Sequence, residues 1–476
     1  MARVVIVGGG IAGLAVAHAL RQGAGGEGVE ILVLEKNDRP GGNLRTEVIE
    51  GYTCEWGPNG FLDSVPETLA LVRAVGLEAR VQVSDDAARK RFIFRNGSLH
   101  ELPGSGGAFL RSRLLSVGGK LRIGWEPFAS ARPPEDETIH AFAARRIGRE
   151  AADILIDSMV SGIFAGDARA LSLRACFPKM WQMETDHGGL FRAMFARRRL
   201  KKQGDSLGAP LGRLTSFRGG TEELIRGVAR TLDGIVRTGV PVGSLSETGE
   251  PDNRAGGAGP GNRARGARFQ LRTSLGEALA ADAVVLACPS HESATIVESL
   301  DSGLSCALRE IPSASIAVVC LGYEETRLPR PLDGFGFLVP RGEGPRILGV
   351  LWDSSVYPGR APAGRVLLRA MIGGARDPEA VRMSDEALLA VVRDDLRTTM
   401  GLDLPPVFVR IFRHSKGIPQ YTVGHLDRLA KIDARLAHHP GLYLCGNSYR
   451  GIAINNCAAE APPLAGRVLA GLGHRG

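Results

Sequence analysis

One stretch near the start of the chain restricts the possible folds more than any other: an apolar run that leads directly into closely spaced glycines. Residues 4–7, VVIV, are rich in β-branched side chains, which predicts a strand buried on both faces. The following GGGIAG places Gly8, Gly10 and Gly13 at GxGxxG spacing, and apolar residues then recur at helical intervals. A second apolar run, VEILVLEK, carries Glu35 about 20 residues after Gly13. This order predicts the first part of a Rossmann nucleotide-binding unit.

Each part of this pattern has a physical reason. The first glycine permits a tight turn, the second lets the backbone approach a pyrophosphate, and the third lets the helix pack close to the strand. The helix N-terminus favours an anion because its backbone amides are unpaired. Glu35 can accept both ribose hydroxyls and repels a 2′-phosphate, which disfavours NADP and leaves NAD and FAD. The predicted nucleotide contacts are Gly8, Gly9, Gly10, Ile11, Ala12, Gly13, Glu35 and Lys36.

Composition narrows the class of protein. A chain of 476 residues with 44% hydrophobic and 23% charged residues is typical of a soluble globular protein with two or three structural units. Only 5% of the residues are aromatic, which argues against a nucleic-acid stacking surface. The net charge of +8 predicts either a solvated basic surface or attraction to an anionic membrane or ligand. The glycines near the start would break a signal-peptide helix, and no apolar stretch is long enough for a membrane span.

The seven cysteines show no CxxC pair and no clustered Cys/His spacing, so we expect neither a metal site nor a disulfide scaffold. Most of them lie in apolar runs, where a free cysteine acts as a small hydrophobe. This usage predicts a reducing compartment.

Three further glycine-containing segments favour FAD over NAD. The segment KNDRPGGNLRT follows Glu35, and an arginine in it can meet a pyrophosphate; the alternative is a surface turn with solvated arginines. GYTCEWGPNGF adds another loop of close backbone approach. Near the C-terminus, LYLCGNSYRGIAIN predicts a strand, a glycine and a helix whose N-terminus faces an electron-rich ring. The predicted contacts are Gly42, Asn43, Arg45, Gly57, Pro58, Asn59, Gly60, Gly446, Asn447, Ile452, Ala453 and Ile454.

Together these segments resemble the FAD-binding pattern of the superfamily that contains amine oxidases, phytoene desaturases and protoporphyrinogen oxidases. The segments PEDETIHAFAARRIG, SGIFAGDARALSLRACFP, FRGGTEELI, LDGFGFLVP and IPQYTVGH resemble the protoporphyrinogen oxidase family in particular. This resemblance implies an α/β fold with a discontinuous Rossmann-like FAD-binding domain, a mixed-sheet substrate domain and a helical membrane-docking domain. The expected ranges are 1–85, 217–290 and 410–476 for the FAD-binding domain, 291–409 for the substrate domain and 91–216 for the helical domain.

The resemblance also implies an activity. It predicts a six-electron oxidation of protoporphyrinogen IX to protoporphyrin IX in haem biosynthesis, by hydride transfer to FAD, with O2 as acceptor and H2O2 as product. The cysteine that tethers FAD in an SGGC-like stretch of some amine oxidases has no counterpart in CGNSYRG, so we expect non-covalent FAD. Two alternatives are another amine oxidase or carotenoid desaturase, and a non-catalytic carrier similar to the GDP-dissociation inhibitors.

The same resemblance implies roles for single residues. Arg91 matches the arginine that pairs with a substrate propionate, with Lys90 and Arg95 as rivals. Six other matches have a plain structural alternative: a strand edge or core contact for Phe335, Gly336 and Leu338, a core methionine for Met371, a helix C-cap for Gly162 and a buried strand residue for Val242. The implied roles are ring sandwiching for Phe335, Gly336 and Leu338, a substrate wall for Met371, positions beside the reacting carbon for Asn59 and Gly162, and cofactor contact for Val242.

Partners and location follow as expectations. In the resembling family the helical region docks on a membrane, and FRAMFARRRLKK has the basic and apolar composition that suits an anionic surface; a solvated helix is the alternative. We expect peripheral attachment to the cytoplasmic side of the cell membrane, with the mitochondrial inner membrane as the alternative. A homodimer and a contact with ferrochelatase are further expectations, and no nucleic acid is expected. The polar segment from residue 246 to 273 predicts a surface excursion between two strands.

Overall fold

The computed structural model describes residues 1–23, 28–129, 135–202, 212–248 and 267–473. The central part of the predicted surface excursion lies outside these ranges. Its last residues were predicted wrongly, because Phe269–Thr273 form a strand that pairs with Val242–Glu247. Within these ranges the chain forms five sheets and a set of helices that cover them.

A five-stranded parallel sheet forms the nucleotide-binding core. Its strands, in spatial order, are β10 (Val236–Arg237), β2 (Val29–Leu34), β1 (Ala2–Val7), β14 (Ala283–Leu286) and β20 (Leu442–Leu444). The strand β1 is buried on both faces as predicted, because its alternate residues contribute to two different hydrophobic clusters. The sheet therefore joins three distant parts of the chain, as the discontinuous pattern predicted.

Helices cover both faces of this sheet. One cluster packs α1 (Ile11–Gly23), α11 (Glu222–Thr231) and α17 (Ile454–Gly471) on the first face. The other packs α12 (Ser290–Val297), α13 (Ser302–Arg309) and α16 (His425–Leu436) on the second face. The three smaller sheets around this core consist of β11 (Val242–Glu247), β12 (Phe269–Thr273) and β13 (Ala278–Ala281); β3 (Thr46–Ile49) and β4 (Tyr52–Glu55); and β5 (Phe61–Leu62), β9 (Leu214–Phe217) and β6 (Val81–Val83).

A seven-stranded mixed sheet forms the second layer. Its spatial order is β19 (Phe408–Pro419), β15 (Ser313–Glu324), β18 (Arg365–Gly373), β17 (Ile347–Leu351), β16 (Gly336–Leu338), β7 (Phe92–Arg95) and β8 (Ser98–Glu101). One face packs on α15 (Asp385–Met400). Two parts of the predicted pattern are wrong here: residues 92–101 are strands of this sheet rather than helical, and residues 410–419 continue a strand of it. The domain boundaries themselves stay predictions.

The region from residue 106 to 202 is helical, as the sequence pattern predicted. The helix α7 is preceded without a break by a π-helical turn, Ala152–Ile156. The helices of this region are α3 (Gly106–Arg111), α4 (Val117–Gly124), α5 (Ile139–Ile147), α6 (Arg149–Ala151), α7 (Asp157–Phe164), α8 (Leu173–Cys176), α9 (Pro178–His187) and α10 (Leu190–Lys202). Two helices elsewhere are α2 (Pro66–Ala74) and α14 (Asp353–Val356).

Candidate active site

The loop between β1 and α1 has the geometry of a phosphate cradle. Gly8 has φ +110°, and a Cβ there would lie 2.9 Å from the backbone nitrogen of Cys288. A Cβ on Gly13 would lie 2.0 Å from the carbonyl oxygen of Gly8, so only glycine lets the helix begin this close to the strand. Gly10 is different, because no atom lies within 4 Å of its ideal Cβ position. The loop therefore leaves no room for a side chain at Gly8 or Gly13, and it leaves open space at Gly10, where a pyrophosphate would lie.

The acid at the end of β2 faces this loop. Glu35 is buried; its Oε2 accepts a hydrogen bond from the Gly9 amide at 2.8 Å and its Oε1 accepts one from the Asn37 amide at 2.9 Å. The carboxylate is therefore held beside the glycines, where ribose hydroxyls can reach it. Lys36 points elsewhere and forms an exposed ion pair with Glu292 at 2.8 Å.

The glycine pair Gly41 and Gly42 contacts the glycine loop between β1 and α1. The Gly41 amide donates to the Gly9 carbonyl at 2.8 Å, and the ideal Cβ position of Gly42 is 3.7 Å from the Cα of Gly10. The next side chains are occupied: Asn43 donates to the Gly417 carbonyl at 3.4 Å, and the Arg45 guanidinium lies 3.9 Å above the Trp56 ring. Close approach of the backbone, rather than a free arginine, is the feature that this segment brings to the cradle.

The C-terminal element completes the cradle. Gly446 has φ +107°, and its ideal Cβ position is 3.5 Å from the Cβ of Ala12 in α1. The Tyr421 hydroxyl donates to the Asn447 carbonyl at 2.6 Å and accepts from the Gly451 amide at 2.8 Å, which fixes the loop before α17. The helix α17 then begins at Ile454, with Ala453 as its N-cap, while Ile452 packs against the hydrophobic cluster beneath α7. The glycine loops at both ends of the chain thus converge.

A buried charged network, which sequence reasoning missed, supports the loop Gly57–Gly60. Glu55 accepts hydrogen bonds from Arg360 at 2.8 Å, from the Thr46 hydroxyl at 2.7 Å and from the Thr221 amide and hydroxyl at 2.9 and 2.8 Å. Both members of the Glu55–Arg360 pair are almost inaccessible to solvent, at 1% and 2% exposure. Because this network joins the β3–β4 hairpin to Thr221 and to Arg360, three segments far apart in the chain, no spacing rule could have found it.

A second buried pair lies next to the same loop. The Arg369 Nε is 3.1 Å from the Asp353 Oδ2, and its Nη1 donates to the Gly57 carbonyl at 2.7 Å. Burial raises the pKa of the Asp353 carboxyl, against the opposing effects of Arg369 and Arg360. Arg369 therefore ties the mixed sheet to the loop that carries Pro58 and Asn59.

The mixed sheet presents one apolar face to this region. Hydrogen-bonded register aligns Ile93, Leu338, Gly349, Met371 and Val318 in a single row across five strands. Residues in register point to the same face, opposite the one that α15 covers. Two predicted wall residues, Leu338 and Met371, are thus brought together in one wall.

At two of the predicted glycines beside this wall, neighbouring atoms leave no room for a side chain. Gly162 lies inside α7, and an ideal Cβ there would be 2.8 Å from the Leu338 Cδ2. The alternative of a helix C-cap is therefore wrong, because Ala165 occupies that position in the left-handed region. Gly336 has φ +128°, and a Cβ on it would lie 2.0 Å from the Val350 carbonyl oxygen.

Arg91 lies at the edge of the wall with an aromatic ring beneath it. Its guanidinium carbon is 5.1 Å from the centre of the Phe335 ring, and the arginine is exposed to solvent. Its two rivals are occupied, since Lys90 pairs with Asp333 at 2.6 Å and Arg95 reaches Glu150 at 3.1 Å. Among the described residues, no carboxylate lies within ion-pair distance of Arg91.

The sequence and the fold match known proteins over almost the whole chain. The family model described as flavin containing amine oxidoreductase matches residues 11–468. The chain therefore belongs to the flavin-containing amine oxidoreductase family. It is 33% identical to a Bos taurus protein named protoporphyrinogen oxidase, with 98% of both chains covered, and 30% identical to the Bacillus subtilis coproporphyrinogen III oxidase, with 95% of both covered. A crystal structure from Exiguobacterium sp. 255-15 has a TM-score of 0.82 and 28% identity, covering 99% of each chain.

As a member of this flavin-containing amine oxidoreductase family, the protein is an FAD-dependent oxidase, and the cradle fits that cofactor. Gly10 leaves open space, Glu35 is held beside it by the Gly9 amide, and Gly446 approaches Ala12 in the first turn of α1. Val242, half-buried at the start of β11, packs against the cluster on the second face of the sheet, which leaves its cofactor contact a prediction.

The cysteines near the cradle are poor candidates for attachment to FAD. Cys445 and Cys457 are both buried, and burial raises the pKa of Cys457 to about 12 and that of Cys445 well above its usual value. The thiolate is the reactive form, so burial suppresses their reactivity. Within the described ranges, no group of three His, Cys, Asp or Glu side chains has the arrangement of a metal site, and no helix is long and apolar enough to cross a bilayer.

Proposed function

We propose that the enzyme uses FAD to oxidise a porphyrinogen, and that protoporphyrinogen IX is its substrate. The observation that carries this proposal is the unpaired Arg91 above the Phe335 ring, at the edge of an apolar wall. A porphyrinogen is a large apolar ring system that carries carboxylates at its edge. Its binding site therefore needs an apolar wall for the ring and a cation at the edge of that wall. The curated relatives named protoporphyrinogen oxidase and coproporphyrinogen III oxidase support the same class of substrate.

The residues of this chain bind and orient the substrate. The row of Leu338, Gly349 and Met371 gives an apolar surface for one face of the ring, and Arg91 fixes the edge that carries the propionates. Bound FAD supplies an acceptor for two electrons at a time, so three rounds complete the six-electron oxidation. O2 as the final acceptor, with H2O2 as the product, belongs to the same proposal.

A second candidate substrate is coproporphyrinogen III, because the Bacillus subtilis relative carries that name. It bears propionates on all four pyrrole rings, whereas protoporphyrinogen IX bears them on two. The cations beside Arg91 are already paired, so one free guanidinium favours the substrate with fewer carboxylates. We expect a higher kcat/KM for protoporphyrinogen IX, and a higher value for coproporphyrinogen III would reverse the assignment.

The substitution Arg91→Ala tests the site directly. A charge-assisted contact contributes about 1.5–3 kcal/mol, which corresponds to a rise in KM of roughly 10- to 150-fold. FAD content should be unchanged, because Arg91 is in contact with the wall and not with the cradle. The matched control is Arg89→Ala, in which an exposed neighbouring arginine paired with Asp86 is removed. Loss of FAD, or a KM equal to that of the control, would contradict the assigned role.

For the location of the enzyme we propose peripheral attachment to an anionic membrane, at the cytoplasmic side, through a patch on α3 and α4. This patch consists of five side chains with 61–74% of their surface exposed: Leu110, Val117, Leu121, Trp125 and Phe128. Two exposed arginines, Arg111 and Arg113, lie beside it, and no acidic partner of either occurs in the described part of the chain. Apolar side chains flanked by cations suit an anionic bilayer surface.

The predicted docking run on α10 adjoins this patch, because the amides of Leu190 and Phe191 donate to Glu126 beside Trp125. Its side chains from residue 197 onward lie outside the described residues. The double substitution Leu121→Asp and Trp125→Asp should abolish flotation with phosphatidylglycerol vesicles, while Leu275→Asp, at an equally exposed leucine elsewhere, should not. Equal flotation of the two variants would refute the patch. The homodimer and the ferrochelatase contact stay predictions.

A further inference from the structure

The Gly57–Gly60 loop carries a buried donor without a well-formed hydrogen bond, and a buried carboxylate in the same state lies close to the loop. The Nδ2 atom of Asn59 is completely buried and makes no well-formed hydrogen bond. Both carboxylate oxygens of Asp353 are also buried without a well-formed hydrogen bond. A buried polar group without a hydrogen bond destabilises the folded state, so these unsatisfied groups need an explanation.

The two side chains are neighbours. One guanidinium joins them, because Arg369 contacts both Asp353 and the carbonyl of Gly57, two residues before Asn59. In keeping with this proximity, the Asn59 amide acts to lower the pKa of the Asp353 carboxyl, against the larger effect of burial. Asp353 begins the short helix after β17, the strand that supplies Gly349 to the apolar wall. In catalytic sites, hydrogen bonds that are long or poorly aligned without a ligand tighten when the substrate binds.

Arg369 fixes the acceptor. Its Nε is 3.1 Å from the Asp353 Oδ2, and its Nη1 donates to the carbonyl of Gly57, two residues before Asn59. Arg369 lies two residues before Met371 on β18, so it points to the same face of the sheet as the wall. Asp353, Arg369 and the loop backbone therefore form a rigid support that adjoins the wall.

We propose that Asp353 is a positioning residue that sets the orientation of the Asn59 amide toward the substrate. This inference rests on the proposed function. A carboxylate attracts the NH2 end of an amide, and the planar amide must then direct its Oδ1 to the opposite side. An amide oxygen is a suitable acceptor for the pyrrole N–H groups of a porphyrinogen, which become more acidic as electrons leave the ring. Asp353 thus acts through Asn59 and does not touch the substrate.

A double-mutant cycle tests this inference with the FAD-loaded enzyme. The rate of flavin reduction by anaerobic protoporphyrinogen IX is measured for wild type, Asp353→Asn, Asn59→Ala and the double variant. We expect Asp353→Asn alone to slow flavin reduction by roughly 10- to 100-fold through misplacement of Asn59. In the Asn59→Ala background the same substitution should slow it by no more than about twofold, because the group it positions is absent.

The controls separate this inference from stability and from the proposed function. Asp395→Asn neutralises another buried carboxylate of the mixed-sheet layer, one that accepts from the Arg346 and Ile347 amides, and should leave the rate unchanged. If Asp353→Asn loses FAD, the cycle is repeated with Asp353→Asn and Arg369→Gln together, which leaves no unpaired buried charge. An equal slowing in both backgrounds, or no slowing, would overturn the positioning role. Failure of the wild type to be reduced would instead refute the proposed function.

Discussion

Substitution of Glu55 by Gln should destabilise the protein much more than an ordinary loss of charge. Glu55 is 1% exposed and accepts four hydrogen bonds, one from Arg360 and three from Thr46 and Thr221. The amide keeps the shape and part of the hydrogen bonding, but it removes the hydrogen-bonded counter-charge of the buried Arg360 guanidinium.

The expected magnitude follows from the burial of both partners. Removal of one member of a buried ion pair typically costs 3–5 kcal/mol, and retained hydrogen bonds place Glu55→Gln at about 3 kcal/mol. The matched control is Glu298→Gln, which breaks a pair with Arg309 whose side chains are 62% and 49% exposed. An exposed pair contributes only about 0–1 kcal/mol.

Urea unfolding of both variants, followed by the release of flavin fluorescence and by circular dichroism, gives the comparison. The shift of the midpoint, multiplied by a common slope, yields the difference in the free energy of unfolding. If Glu55→Gln lowers this free energy by no more than Glu298→Gln, the buried network does not stabilise the loop beneath Asn59, and the reasoning fails.

Three other predictions concern the cradle and an ion pair remote from it. Gly10→Ala should fold normally, since no atom lies within 4 Å of its ideal Cβ position, but it should hold less FAD. The control is Gly104→Ala, at an equally open glycine, and the measurement is the absorbance at 450 nm per chain. Acid precipitation of the holoenzyme should release all flavin into the supernatant; a yellow pellet would contradict non-covalent binding. Burial opposes ionisation of Asp301, but hydrogen bonds from Arg435, the Leu304 amide and His439 outweigh it and hold its pKa well below the usual range. Such a group stabilises the fold above its unfolded-state pKa of about 3.9 and loses this effect as the pH falls. Asp301→Asn should therefore be less stable than wild type at pH 7, and the difference between the urea midpoints should begin to narrow below about pH 4.

The nucleotide core was predictable because its determinants are local. A strand, a glycine loop, a helix and an acid follow one another within about 35 residues, and each requirement falls on one residue type. The structure confirms the strand and the loop, and it places Glu35 within 2.8 Å of the Gly9 amide. The contact of Glu35 with the ribose stays a prediction. The apolar face formed by Leu338 and Met371 was inferred only from resemblance, since nothing in the spacing of these two residues connects them.

The parts that were not predicted depend on pairing between distant segments. Residues 92–95 resemble the entrance to a helical region, yet they pair with β16, more than 240 residues later in the chain. Gly162 resembles a helix end until Leu338 is placed against it. Glu55 and Arg360 are separated by 305 residues, and the Asp353–Arg369 pair joins a short helix to a strand. Charged residues alone predict a solvated surface.

Anaerobic mixing of the purified yellow enzyme with protoporphyrinogen IX tests the central claim most directly. If the cradle holds FAD and the wall holds a porphyrinogen, the flavin absorbance near 450 nm should bleach, and porphyrin fluorescence should appear after O2 is admitted. A flavin spectrum that stays oxidised during anaerobic exposure to both protoporphyrinogen IX and coproporphyrinogen III would contradict the account.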